Sequence, residues 1–192
     1  MDGQIIELLK QGKIGVIPTD TIHGVVGSAL RQETVEEIYR LRKRTPSKPM
    51  IILIGEASEV EQFGVSLTEE QRKILERVWP GKVSVILPCN ESRWEYLHRG
   101  TNSLAFRVPN DEALREMLRE TGPLVAPSAN WEGEKPTETS EEAKRYFGEE
   151  VFYVDAGKLA SKASTLVKLE SSKLVILRQG EVEVDEDLIK ES

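Results

Sequence analysis

A chain of 192 residues with 39% hydrophobic residues, 31% charged residues and a single cysteine has enough apolar material for one packed domain and excludes a disulfide-stapled, fibrous or disordered protein. Its formal net charge of −7 argues against generic binding to duplex nucleic acid, which leaves a basic footprint, but allows a local anion site. The apolar runs are far too short to cross a membrane and Met1-Asp2-Gly3-Gln4 starts no signal pattern, so a cytoplasmic protein is expected.

Residues 4–11 place Ile5, Ile6, Leu8 and Leu9 at the spacing of a short amphipathic helix that Gly12 ends. A strand is expected from Ile14 to Ile17, running into Pro18, and a second apolar segment from Gly24 to Leu30. Val35, Ile38 and Tyr39 share a helical face, with Thr34 and Glu37 spaced as a capping box, and this helix should stop before Pro46. Met50 to Ile54 is an uninterrupted apolar run suited to a strand covered on both faces. Thr68 and Gln71 form another capping-box pair ahead of Ile74, Leu75 and Val78, and Pro80-Gly81 breaks that helix. Further strands are expected at 83–87, 104–108, 124–126, 151–154, 165–169 and 174–177, with helices at 111–120 and 140–147, the latter behind a Thr139–Glu142 cap. This alternation predicts an α/β class with a mixed, twisted sheet flanked by helices, and residues 181–192 read as an acidic, solvated end.

Three segments could carry chemistry. Arg40-Leu41-Arg42-Lys43-Arg44-Thr45-Pro46-Ser47-Lys48 concentrates cations without an acid in an otherwise acidic chain. Arginine clamps phosphate or carboxylate with two prongs and lysine acts as a mobile point charge, although such a run alone also suits a solvated helix C-terminus. Ala126-Pro127-Ser128-Ala129-Asn130 follows a strand with small residues, so backbone can approach a ligand while Ser128 and Asn130 offer hydroxyl and amide groups. Pro18-Thr19-Asp20-Thr21-Ile22-His23-Gly24 gathers two hydroxyls, a carboxylate and an imidazole where a strand breaks, a pattern that a simple turn also produces.

Taken in order, Pro18–Gly24, Arg42-Lys43-Arg44 with Lys48-Pro49, Trp79-Pro80-Gly81, Ala105–Pro109, Ala126–Asn130, Ser164–Val167 and Leu177–Gly180 resemble the YrdC-like family, which includes the threonylcarbamoyl-AMP synthases. The resemblance implies a catalytic domain over residues 1–180, folded around a concave, electropositive cavity. It also implies a reaction in which L-threonine, bicarbonate or carbon dioxide, and ATP give threonylcarbamoyl-AMP and pyrophosphate, with magnesium held through the phosphates. The product would pass to a transferase machinery that modifies tRNAs reading codons that begin with A, with weak tRNA contact as a further implication. By matching motifs, Thr21, Arg107 and Ser164 are threonine contacts, while Arg44, Lys48, Ser103, Ser128, Arg178 and the backbone at Ala126 are ATP contacts. Arg42 and Asn130 complete the phosphate site, and Arg42, Arg44 and Lys48 act on the reacting phosphate.

The basic lining fits the chemistry, because N-carboxythreonine is an anion attacking another anion and cations offset that repulsion. Arg42, His23, Lys82, Ser84 and Gln179 depart from the usual pattern of the family, and the chain resembles its short, single-domain form. A carbamoyl-adenylate-forming enzyme and a non-catalytic RNA- or ribosome-associated protein are the alternatives. Cys89 and His98 fit no metal-ligand spacing, so no protein-built metal site is expected. Trp79 reads as a core anchor at a helix end.

Overall fold

The computed structural model describes residues 3–188. In chain order, its elements begin with helix α1 (Gly3–Lys10), strands β1 (Gly15–Ile17) and β2 (Gly24–Ser28), helix α2 (Gln32–Leu41) and strand β3 (Ile51–Leu53). Helix α3 (Glu69–Val78), strand β4 (Val83–Pro88), the short helix α4 (Glu95–His98), strand β5 (Ser103–Arg107) and helix α5 (Glu112–Thr121) follow. Strand β6 (Leu124–Val125), helix α6 (Ser140–Phe147) and strands β7 (Phe152–Tyr153), β8 (Thr165–Glu170) and β9 (Lys173–Arg178) complete the set. Among the described residues the nine strands form one sheet in the order β7-β1-β2-β6-β3-β5-β4-β8-β9. Pairing is parallel for β1/β7, β3/β5 and β4/β8 and antiparallel elsewhere, so the expected mixed sheet is present.

The alternation of side chains along each strand divides the interior in two. Val16, Val25, Ile52 and Val125 enter a large core with Val35 and Ile38 of α2, Ile74 and Leu75 of α3 and Phe147 of α6. Their neighbours Ile17, Val26, Leu53 and Leu124 enter a smaller core with Ile6 and Leu9 of α1 and Leu114, Met117 and Leu118 of α5. The short strands β3 and β6 are therefore apolar at every position, with helices packed on both sides of them. Packing is close between α2 and β2, where a Cβ on Gly27 would come within 2.5 Å of the Thr34 methyl.

Helix starts follow local chemistry. Thr68 and Gln71 close the expected capping box on α3, and Asp111 caps α5 by accepting the Leu114 N–H at 3.0 Å. Thr139 caps α6, with Glu142 reaching back to the Glu138 N–H at 2.8 Å. The Thr34–Glu37 box does not form. Helix α2 begins three residues earlier, with Arg31 at its N-cap, Thr34 is drawn inside to donate to Gly12 O at 3.2 Å, and Glu37 pairs with Arg40. Trp79 is buried and donates its indole N–H to Val83 O at 2.8 Å, as a core anchor should.

The C-terminal end differs from expectation as far as it is described. Val184 and Leu188 are buried in the large core, and Arg77 pairs with Asp185 and Asp187 at 2.9 and 2.8 Å. Two apolar side chains and a cation on α3 thus dock an acidic segment that composition alone marked as solvated. Residues 189–192 of that expected tail lie outside the described residues.

Candidate functional site

Helices α1 and α5 cover only one half of their face of the sheet, the half built from β1, β2, β6 and β3. Strands β5, β4, β8 and β9 turn the same parity of residues toward open space, and a cavity of about 320 Å³ forms there. Along β5, Leu104 and Phe106 go to the large core while Ser103, Ala105 and Arg107 line the cavity. Ile86 of β4 and Leu166 of β8 supply apolar floor, and Arg178 ends β9 at the rim. Loops close the sides: Thr19 to Gly24 between β1 and β2, Arg42 to Met50 after α2, Ala126 to Ser128 after β6, and Ala163-Ser164 before β8.

Four arginines converge on this lining, each held by a different device. Arg107 is 4% exposed and donates to Asp20 Oδ1 at 2.5 Å, while Asp20 Oδ2 accepts the Asn110 N–H at 2.9 Å. Burial pulls the Arg107 pKa down and the Asp20 carboxylate opposes that pull. Arg42 is 3% exposed and grips Ser128 twice, through the carbonyl at 2.7 Å and the hydroxyl at 3.1 Å. Its Nη1 is buried without a partner, and burial followed by the neighbouring Arg44 lowers its pKa to about 10. Arg44 holds the next loop by donating to Lys48 O at 2.9 Å and Pro49 O at 2.7 Å. Arg178 donates to Ser164 O at 2.9 Å, and burial lowers its pKa.

Hydroxyl groups interleave with these cations. Thr19 and Thr21 share a hydrogen bond of 3.1 Å, Ser84 and Ser164 one of 2.8 Å, and Ser103 donates to Thr101 at 3.3 Å. The Ala126 N–H is already engaged with Ile51 O at 2.8 Å, which extends the sheet edge into the cavity wall. Cations for anionic groups, hydroxyls for orientation and an apolar floor make a site that can hold two polar ligands side by side.

Ten positions marked from sequence are brought together as lining: Thr21, Arg42, Arg44, Ser103, Arg107, Ala126, Ser128, Ser164 and Arg178, with Thr19 from the same first motif. Two others are not. Lys48 projects outward and pairs with Glu132 at 2.6 Å. Asn130 is 4% exposed and uses its amide to brace its own loop, donating to Trp131 O at 2.7 Å and Glu134 O at 2.8 Å. His23 is fully buried behind the first turn and outside the lining, and burial pushes its pKa down. Sequence reasoning missed Asp20 as the partner of Arg107 and Thr101 as a lining hydroxyl. Asp20 sat inside a motif already singled out, but nothing local linked it to a residue so far along the chain. Among the described residues no carboxylate belongs to the lining, and no group of three or more His, Cys, Asp or Glu is arranged to hold a metal ion.

The chain is similar to known proteins over most of its length. A family model described as "Telomere recombination" matches residues 7–180. A relative from Methanocaldococcus jannaschii is 28% identical over 187 residues, which cover 94% of this chain and 88% of that protein. The threonylcarbamoyl-AMP synthase of Pyrococcus abyssi is 29% identical over 93% of this chain, which spans only 53% of that longer protein. The crystal structure of P. abyssi Sua5 complexed with L-threonine superposes with a TM-score of 0.84 at 26% identity, covering 92% of this chain and 53% of that one.

Proposed function

The chain belongs to the Sua5–YciO–YrdC family, and from that premise we propose that it is a threonylcarbamoyl-AMP synthase. It takes L-threonine, bicarbonate or carbon dioxide, and ATP, and releases threonylcarbamoyl-AMP and pyrophosphate. The observation that carries this reading is the convergence of Arg42, Arg44, Arg107 and Arg178 with the Thr21, Ser128 and Ser164 hydroxyls on one cavity.

In the reaction, the threonine amine adds to carbon dioxide and loses a proton, giving a carbamate. A carbamate oxygen then attacks the α-phosphorus of ATP, the bond to the bridging β-phosphate oxygen breaks, and pyrophosphate leaves with the electron pair. Both partners are anions, so the chain's work is to hold them together and neutralise them. Arg107, fixed by Asp20, takes the threonine carboxylate, with Thr21 and Ser164 orienting the amino acid. Arg42, Arg44 and Arg178 face the phosphates, with Ser103, Ser128 and the Ala126 segment completing the nucleotide side. Lys48 joins the phosphates by swinging from the rim, and Asn130 acts by bracing the loop that carries Ser128.

The lining offers hydroxyls and no carboxylate, so a magnesium ion fits only as a companion of the nucleotide, held through its phosphates. Such an ion would neutralise phosphate charge; every other neutralising group is an arginine or lysine of this chain. In this reading the enzyme works in the cytoplasm and hands its product to a tRNA-modifying transferase; no helix among the described residues is long and apolar enough to cross a membrane.

Pyrophosphate release by the purified chain, measured with threonine and bicarbonate present or withheld, tests this reading. Release that needs both, with threonylcarbamoyl-AMP detected by mass spectrometry, is the expected result. Release that is indifferent to threonine, or supported by bicarbonate with carbamoyl phosphate in its place, overturns it.

A further inference from the structure

The cation run and the loop after Asn130 meet across a set of contacts that the reaction does not account for. Glu132 accepts from Lys48 Nζ at 2.6 Å and from the Thr45 backbone N–H at 2.5 Å, using one carboxylate oxygen for each. Its own N–H donates to Arg42 O at 2.9 Å, which anchors it to the side of the site that Arg42 locks onto Ser128. Next to it, Lys43 Nζ lies 3.1 Å over the Trp131 ring, and Lys43 sits at φ 50, a left-handed conformation that L-residues avoid. The 43–48 loop is therefore held against the 131–132 segment by charge and stacking, in a shape it would not adopt unaided.

An ammonium and a main-chain N–H taking the two oxygens of one anion is also how such groups receive a phosphate. The Glu132 carboxylate stands in that position. We propose that Glu132 is an internal anion that occupies the phosphate-binding donors of the 43–48 loop, and that a polyphosphate displaces it to recruit Lys48. A ligand must offer these two donors more negative charge than a carboxylate does before the exchange is favourable. A triphosphate does so and draws Lys48 toward the arginines, whereas a monophosphate leaves the Lys48–Glu132 pair closed. The strength of the grip is visible in Glu132 itself, whose pKa Lys48 and the Thr45 amide hold down at about 2. Glu132 thus remains an anion at any working pH and competes throughout.

The inference rests on the synthase reading only for its biological consequence. Once pyrophosphate has left, Glu132 recaptures Lys48, and the adenylate that remains faces a weaker cationic site and departs more readily. Glu132 in this account is a positioning residue that acts through Lys48 and touches no reacting atom.

The test is calorimetric binding of inorganic tripolyphosphate and of AMP to the intact chain and to Glu132→Gln, each also in a Lys48→Gln background, at fixed ionic strength. Glu132→Gln should bind tripolyphosphate about three- to fivefold more tightly, the scale of one exposed ion pair, with AMP affinity moving less than about twofold. The gain should vanish when Lys48 is already neutral, the signature of coupling between the two residues. Glu132→Asp, which keeps the charge but shortens its reach, should gain in the same direction by less, and covers the case in which the glutamine variant folds poorly. An unchanged tripolyphosphate affinity, an equal gain for AMP, an equal gain without Lys48, or no tripolyphosphate binding by any form overturns the proposal. Neither probe requires turnover, so failure here and failure of threonine-dependent pyrophosphate release are separate results.

Discussion

Replacing Asp20 by asparagine tests the ion pair that holds Arg107 in the cavity wall. Both side chains of the pair are only 5% exposed, and Asp20 serves two donors, the Arg107 guanidinium at 2.5 Å and the Asn110 N–H at 2.9 Å. An asparagine amide has one acceptor oxygen and one NH₂ group, so whichever way it turns one of these donors meets another donor. The guanidinium stays buried and charged beside a neutral partner. Breaking a buried pair from one side costs about 3–5 kcal/mol, and because the asparagine keeps one hydrogen bond the lower figure, about 3 kcal/mol, is expected here. For a chain of this length that is a fall in Tm of about 6–12 °C. Urea unfolding followed by tryptophan fluorescence reads the stability, and threonine KM against kcat reads the position of Arg107. The variant should lose stability with an unchanged m-value and show a raised threonine KM. A loss below about 1 kcal/mol, the range of an exposed pair, would show that solvent screens Arg107 and that Asp20 does not position it.

Arg44→Ala should lower kcat/KM for ATP by at least about tenfold, since it removes a cavity cation and releases the Lys48 and Pro49 carbonyls, with Tm shifted by only a few degrees; a folded variant with unchanged kcat/KM would place Arg44 outside the site. His23 carries a pH signature. Burial lowers its pKa below the ordinary 6.5, so its contribution is fully present above pH 6.5 and is lost as pH falls from there toward the folded value, because only the unfolded chain takes up the proton. Wild-type stability should therefore decline below pH 6.5 with a slope of up to about 1.4 kcal/mol per pH unit from this residue, and His23→Leu should flatten it; identical slopes in denaturant titrations at pH 7.5, 6 and 5 would exclude the imidazole as the source. Thr68→Ala should cost about 1 kcal/mol by opening the α3 capping box, with activity unaffected, as measured by urea unfolding and pyrophosphate release on the same samples.

Much of the architecture is legible along the chain because its causes are short-range. The Thr68, Asp111 and Thr139 caps satisfy helix N–H groups within three residues, and the apolar runs at β1 and β3 follow from burial on two covered faces. Where a local signal met a competing contact, it failed: Thr34 has the spacing of a cap, but the approach of α2 to Gly12 and Gly27 takes it into the interior. The site is legible in the same uneven way. Thr21, Arg42, Arg107, Ser128, Ser164 and Arg178 line one cavity, while Lys48 and Asn130 belong to its braces in this structure.

The sequence by itself determined the α/β class, the positions of the main helices and strands, the membership of a family and the cations that a phosphate chemistry needs. Each of these depends on periodicity, capping or motif order, which act over a few residues or are read directly as residue identity. Only the tertiary structure decided which half of the sheet α1 and α5 leave bare, and hence where the cavity lies. It also decided that Asp20 holds Arg107, that Glu132 holds Lys48 and that Val184 and Leu188 dock the acidic end. Those pairings join residues far apart in the chain, and strand order brings them together; a carboxylate's own neighbours in sequence carry no information about which distant cation it will meet.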